Sequence, residues 1–174
     1  MLSNRIILPI VVVAVILTLI GGAILLQPKG PEFTLEMQEF GYDGYSGGPT
    51  LKAKVGETIK LTLKNVGGVP HEFMIVENKD MALAMMKKMV SNFHDMGLDK
   101  EELIEKYSEM HHGMMMDMVA FQGSQIDLQP GEVVTIYVEV DRPGTFWYIC
   151  HHLEGTYPEL HQERGMFGQL IVET

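Results

Sequence analysis

Phe146-Trp147-Tyr148-Ile149-Cys150-His151-His152 is the stretch from which the rest of the chain is read. A short aromatic and aliphatic run behind the turn Asp141-Arg142-Pro143-Gly144 reads as a strand, and it ends on the chain's only cysteine. A polar loop follows, then His161, Gly165-Met166 and a closing apolar strand. A thiolate, an imidazole and a thioether are thus gathered near one loop, with His151, His152 and His161 all open as the imidazole. These are the side chains a copper ion prefers.

Composition narrows the alternatives. A chain of 174 residues has room for one domain with accessories and a real core. A single Cys excludes an internal disulfide and any centre that needs two bridging thiolates. The formal net charge of -10 argues against nucleic acid as a partner, since such a surface is normally basic.

The first 26 residues stand apart from the globule. Ile6 to Leu26 is uncharged and mostly Ile, Leu, Val and Ala, long enough as a helix to cross a hydrocarbon core. Arg5 ahead of it sets the N-terminus on the cytoplasmic side by the positive-inside rule. Residues 1–26 are therefore expected to be a single-pass N-terminal transmembrane helix, with the rest on the extracytoplasmic side, periplasmic or extracellular. A cleaved signal peptide is the alternative, with Gly21-Gly22-Ala23 as its nearest cleavage-like site. Residues 27–31, Gln-Pro-Lys-Gly-Pro, form a breaker-rich linker.

From Glu32 the pattern is one of short strands. Phe33, Leu35 and Met37 alternate with Thr34, Glu36 and Gln38, and Gly41 to Pro49 reads as a loop. Leu51–Val55, the turn Gly56-Glu57 and Thr58–Leu63 read as strand, turn, strand. His71–Val76, Val133–Val140, Thr145–Cys150 and Gly168–Glu173 add four more. Alternating strands between Gly and Pro turns indicate an all-β sandwich.

Asn78 to about Met118 breaks that pattern. Met81, Met85, Met89 and Phe93 recur at helical spacing, and Leu98–Met110 is rich in Glu, Lys and Leu. Two helices hinged near Met96-Gly97 are expected, with Asp99 as N-cap of the second. Met81, Met85 and Met89 are expected to pack against the sandwich, where Met fills irregular gaps well. Met110-His111-His112-Gly113-Met114-Met115-Met116-Asp117-Met118 could equally pack, bind Cu(I) through soft donors, or cover the copper end. His94 is expected at the surface.

A metal site built on the Cys150 loop needs a ligand from a distant strand. His71 begins a strand, follows Gly67-Gly68-Val69-Pro70, and lies amid apolar neighbours. Two imidazoles and a thiolate with a weak axial thioether make a blue-copper electron-transfer site.

These pieces resemble the cupredoxins, the small blue copper family of plastocyanin, rusticyanin and sulfocyanin. The resemblance is carried by Val55-Gly56-Glu57-Thr58, Asn65 ahead of His71-Glu72-Phe73, and Leu128-Gln129-Pro130-Gly131-Glu132. Pro143 through Cys150, then His161 with Gly165-Met166-Phe167-Gly168, complete it. It covers residues 32–174, apart from the helical Met-rich insertion at about 78–118. It implies a Greek-key β-sandwich with one type 1 copper ion, Cu(I)/Cu(II), shuttling single electrons. The spacing from His161 to Met166 matches the family's own and selects His161, so the implied metal ligands are His71, Cys150, His161 and Met166. The loop from Cys150 to His161 is longer than the family's usual one, and His151 and His152 receive no role.

The expected function is single-electron transport outside the cytoplasmic membrane, without catalysis, at a site whose exposed edge is expected at His161. The expected partners are redox proteins such as cytochromes or a membrane oxidase, and the membrane itself through the anchor. The alternatives are a copper carrier or chaperone using the Met/His-rich segment, or a copper enzyme of nitrite reductase-like type. Trp147 and Tyr148 are expected to pack the sandwich core.

Overall fold

Alternation of side chains along each strand decides this architecture. The computed structural model describes residues 30–44, 46–154 and 159–174. The first strands are β1 (Glu32–Gln38), β2 (Gly41–Tyr42), β3 (Leu51–Lys54), β4 (Thr58–Asn65) and β5 (His71–Val76). After two helices come β6 (Gln125–Leu128), β7 (Val133–Glu139) and β8 (Gly144–Ile149). The short β9 (Leu153–Glu154) and β10 (Glu159–Leu160) precede β11 (Phe167–Glu173).

Two sheets result, in the orders β2-β1-β4-β7 and β3-β11-β8-β5-β6, while β9 and β10 pair with each other. The β1–β4 and β3–β11 pairs are parallel, and the other named pairs antiparallel. Leu35, Ile59, Leu61 and Leu63 of the first sheet share one buried cluster with Phe73, Ile75, Tyr148 and Leu170 of the second. Each such side chain contributes roughly 1.5–3 kcal/mol on full burial. The described chain is a mostly β sandwich with a helical insertion.

The insertion supplies a third layer. Helix α1 (Lys79–Asp95) starts at Asn78, whose side chain accepts from the Asp80 and Met81 amides. Helix α2 (Lys100–Met115) starts at Asp99 in a complete capping box with Glu102, so the expected N-cap is the observed one. Gly97 between them takes φ +75°, a conformation that favours glycine at this hinge. The buried face of α1 is Ala82, Met86, Met89, Val90 and Phe93. Met81 is 59% exposed, contrary to its expected packing role. Steps of four residues overshoot a turn of 3.6, so Met81 falls off the face that Ala82, Met86, Met89 and Phe93 keep.

Strand β5 is buried at all six positions. Phe73 and Ile75 face the sandwich interior, while Met74 and Val76 join the helices' cluster. Strand β8 divides in the same way: Phe146 and Tyr148 go inward, and Ile149 and Trp147 go to the helical side. Trp147 thus packs outside the sandwich, against Phe167 and beneath Lys79 Nζ at 5.1 Å from its ring centre. Tyr148 is in the core as expected, donating to the Pro49 carbonyl at 2.5 Å. Gly168 leaves room for it, since a Cβ there would strike the Tyr148 ring.

The expected anchor at residues 1–26 and the first three residues of the expected linker at 27–31 lie outside the described residues. Among the described residues no helix is long and apolar enough to cross a membrane.

Candidate metal centre

Two loops and the end of a strand deliver side chains to one end of the second sheet. Asn65 controls the first: its Nδ2 donates to the Val69 and Leu128 carbonyls (2.8 and 3.1 Å), and its Oδ1 accepts from the Gly67 amide at 3.0 Å. That fixes the loop leading into His71. Cys150 follows the last residue of β8, and the Glu72 amide donates to its Sγ at 3.3 Å. His161 opens a short 3-10 turn, His161–Arg164, which Gly165 closes at φ +100°. A side chain at Gly165 would collide with Ser46.

Backbone bonds tie the pieces together. The Cys150 amide donates to the Met166 carbonyl and the Met166 amide to the His161 carbonyl, both at 3.1 Å. Lys87 Nζ pairs with Glu163 at 2.6 Å, so α1 also holds the 3-10 turn.

The side chains converge. His71 Nδ1 lies 3.1 Å from His161 Nδ1, and Cys150 Sγ lies 3.5 Å from His161 Nδ1 and 3.9 Å from His71 Nδ1. Nitrogen and sulfur donors sit roughly 2.0–2.3 Å from a small transition-metal ion, and a triangle of this size is what such donors span around one centre. Cys150 is 0% exposed, and His71 and His161 are each 1% exposed. The donor set therefore fits a copper ion in size and in softness.

Burial also sets the charge state. Burial, reinforced by His161 and His152, lowers the His71 pKa to about 3. Burial, with His152 and Arg164, lowers that of His161 to about 3. Both rings are neutral near pH 7 and offer lone pairs. Burial pushes the Cys150 thiol well up against the opposing Glu72 amide bond, so a bound metal must displace its proton.

His71, Cys150 and His161 are thus brought together, with one ligand atom of each within 4.8 Å of the others. Met166 is 0% exposed within the same buried cluster as Cys150. The exposed edge expected at His161 is not found. Phe40 packs edge-on at 5.5 Å, His152 at 5.0 Å, and the Arg164 guanidinium lies 4.4 Å over the Phe40 ring. Of the Met run, Met115 is fully buried, whereas Met110 and Met116 are 44% and 59% exposed. His94 is exposed, as expected.

A second buried group was not anticipated. Glu72, His111 and His151 place one ligand atom each within 4.8 Å of one another. Its sequence signal lay in two places. The residue after Cys150 must face the opposite side of the sheet, and His111 falls four residues after Tyr107 on the buried stripe of α2.

A multicopper oxidase family model matches residues 102–174. No curated protein matches significantly. Among solved structures, the chain is similar to dithionite-reduced auracyanin from Roseiflexus castenholzii, with 21% identity and a TM-score of 0.50 over 85% of this chain and 100% of that one. Auracyanin B gives 18% identity and a TM-score of 0.50, covering 85% of this chain and 91% of that one. A copper-containing nitrite reductase from Thermus scotoductus gives 22% identity and a TM-score of 0.47, over 82% of this chain and 27% of that one.

Proposed function

We propose that this chain, whose fold is that of the cupredoxins, is a mononuclear type 1 copper protein that carries single electrons between redox partners. The observation that carries the reading is the closed, buried triangle of His71, Cys150 and His161. A copper ion bound there would supply a one-electron couple at a centre with one thiolate and two imidazoles. Cys150 would hold the ion through its thiolate, with His71 and His161 as imidazole donors and Met166 as the thioether donor.

The protein's contribution is rigidity and dryness. Asn65 fixes the His71 loop, the Glu72 amide orients the sulfur, and the His161–Arg164 turn is clamped by Lys87. Ligands held this way change position little between two charge states, so little reorganisation opposes electron transfer. Phe40 and the half-buried His152 close the end over His161 and form the route by which a partner is reached. The net charge of -10 suits a partner with a basic face, with salt-sensitive association. The N-terminal apolar segment would tether the domain outside the cytoplasmic membrane, with cytochromes or a membrane oxidase as partners.

The test is optical. The full chain in detergent, given one equivalent of Cu(II), should develop an intense thiolate-to-copper band that Cys150→Ser abolishes. A colourless wild type that takes up copper elsewhere would overturn the reading. A copper enzyme is the second reading, favoured by the multicopper oxidase model over residues 102–174. Steady turnover of an oxidisable substrate or of nitrite by the loaded protein would select it.

A further inference from the structure

Strand alternation builds a second donor set behind the first. In β5, His71 faces the sandwich interior, so Glu72 must face the helical side. At the end of β8, Cys150 faces inward, so His151 does the opposite. The β5–β8 register pairs Met74 with Ile149 and Ile75 with Tyr148. Continued by two residues beyond Met74–Ile149, it sets Glu72 beside His151 on the outer face. Helix α2 covers that face with Leu103, Tyr107, His111 and Met115, a buried stripe in which His111 is the one ionisable imidazole.

The hydrogen bonds leave lone pairs in this group without partners. Gln162 Nε2 donates to the Lys79 carbonyl at 2.8 Å, which turns Oε1 toward His151 Nε2 at 2.5 Å. Nε2 of His151 is therefore the protonated nitrogen, and its Nδ1, buried without a hydrogen-bond partner, keeps its lone pair. Glu72 Oε1 accepts from Gln125 Nε2 at 2.9 Å. Its Oε2 lies 3.1 Å from His111 Nε2, close but not aligned for a hydrogen bond, and both atoms are buried. A ligating histidine that gives its other N–H to an amide oxygen is the usual outer support of a metal site. The Tyr107 hydroxyl donates to the His151 carbonyl at 2.9 Å, and its ring stacks on His111 at 4.8 Å, holding both in place.

We propose that Glu72, His111 and His151 form a second metal site for a divalent first-row transition ion of the Zn²⁺ or Cu²⁺ type. Two imidazoles and one carboxylate suit such ions and leave a coordination position open. That position has somewhere to face. A cavity of about 250 Å³ is lined by Glu72, Tyr107, His111, Asp127, His151 and His152. The two sites touch through the chain: His151 follows Cys150 directly, and the Glu72 amide is bonded to the Cys150 sulfur. Filling the second site therefore changes the polarity at the thiolate of the first.

The test separates this site from the first. Cys150→Ser/His161→Gln removes two donors of the first triangle and leaves the second intact. It should bind one equivalent of Zn²⁺ in a calorimetric titration, and adding Glu72→Gln or His111→Gln should weaken that binding at least a hundredfold. Wild type already holding one Cu(II) should take one Zn²⁺ as well, with a nitrogen and oxygen shell by X-ray absorption and a shift in the thiolate band. No stoichiometric zinc in the double variant, or zinc bound equally well without His111 and Glu72, overturns the proposal whatever the wild-type copper spectrum shows. A missing thiolate band with zinc still bound would fail the electron-carrier reading alone. Sulfur in the zinc shell would mean that zinc had entered the first triangle, and would also count against it.

Discussion

His71 Nδ1 and His161 Nδ1 face each other at 3.1 Å, although 90 positions separate them in the chain. Each nitrogen is delivered by its own loop, and each ring is neutral and buried. Replacing either by Ala is expected to weaken copper affinity by well over the 10–100-fold typical of an outer-shell change, about that range being the floor. Competition titration against a copper chelator measures it. Retention of wild-type affinity in His71→Ala would remove that residue from the site.

Copper loading should release a proton. The Cys150 thiol is held protonated by burial, while both imidazoles are already neutral near pH 7. Apparent Cu(II) affinity should therefore rise by about tenfold per pH unit between roughly pH 7 and 8. Titration in two buffers of different ionisation enthalpy counts the proton, and Cys150→Ser should abolish the release.

The metal-free protein should be sensitive to mild acid. Burial lowers His71 and His161 to about 3 and His151 to about 4, from 6.5. Below 6.5 the unfolded chain binds protons that the folded chain refuses, so this stability is complete above pH 6.5 and is lost as pH falls toward the folded values. Each histidine can contribute a slope of at most ~1.4 kcal/mol per pH unit in that window. Urea unfolding from pH 7.5 to 4.5 should show a midpoint that is level down to about pH 6.5 and falls below it.

The methionines of the insertion should divide sharply by burial. Met86 and Met115 are fully buried, and truncation of either to Ala should cost roughly 2–5 kcal/mol. Met81 and Met116 are each 59% exposed, and the same change there should stay within about 0.5 kcal/mol. Denaturant midpoints of the four variants decide it.

Much of this was legible because strands and caps write themselves in single residues. The alternation of Ile59, Leu61 and Leu63, the Asp99 cap and the unique Cys150 each carry a local signal that folding preserved. The strand β6 was not legible, since Gln-Ile-Asp-Leu is too short and polar to show a period, and it forms only because β5 offers an edge. The β9–β10 pair was not legible for the same reason, with two residues in each strand. His161 was legible as a donor, but its cover was not, because Phe40 and Arg164 reach it through tertiary packing. The Glu72–His111–His151 group escaped because its three members come from β5, α2 and the end of β8, and a lone Glu after a ligand His carries no pattern of its own.

Strand β5 has no solvent face, and its consecutive residues serve opposite sides of one wall. A slip of one residue in that strand would carry Glu72 to the place of His71 and turn an apolar neighbour outward. The same deletion ahead of Cys150 would present His151 where the sulfur belongs. Insertions and deletions at these two points are therefore all-or-nothing events, and change in this protein's chemistry should proceed by substitution at fixed length there.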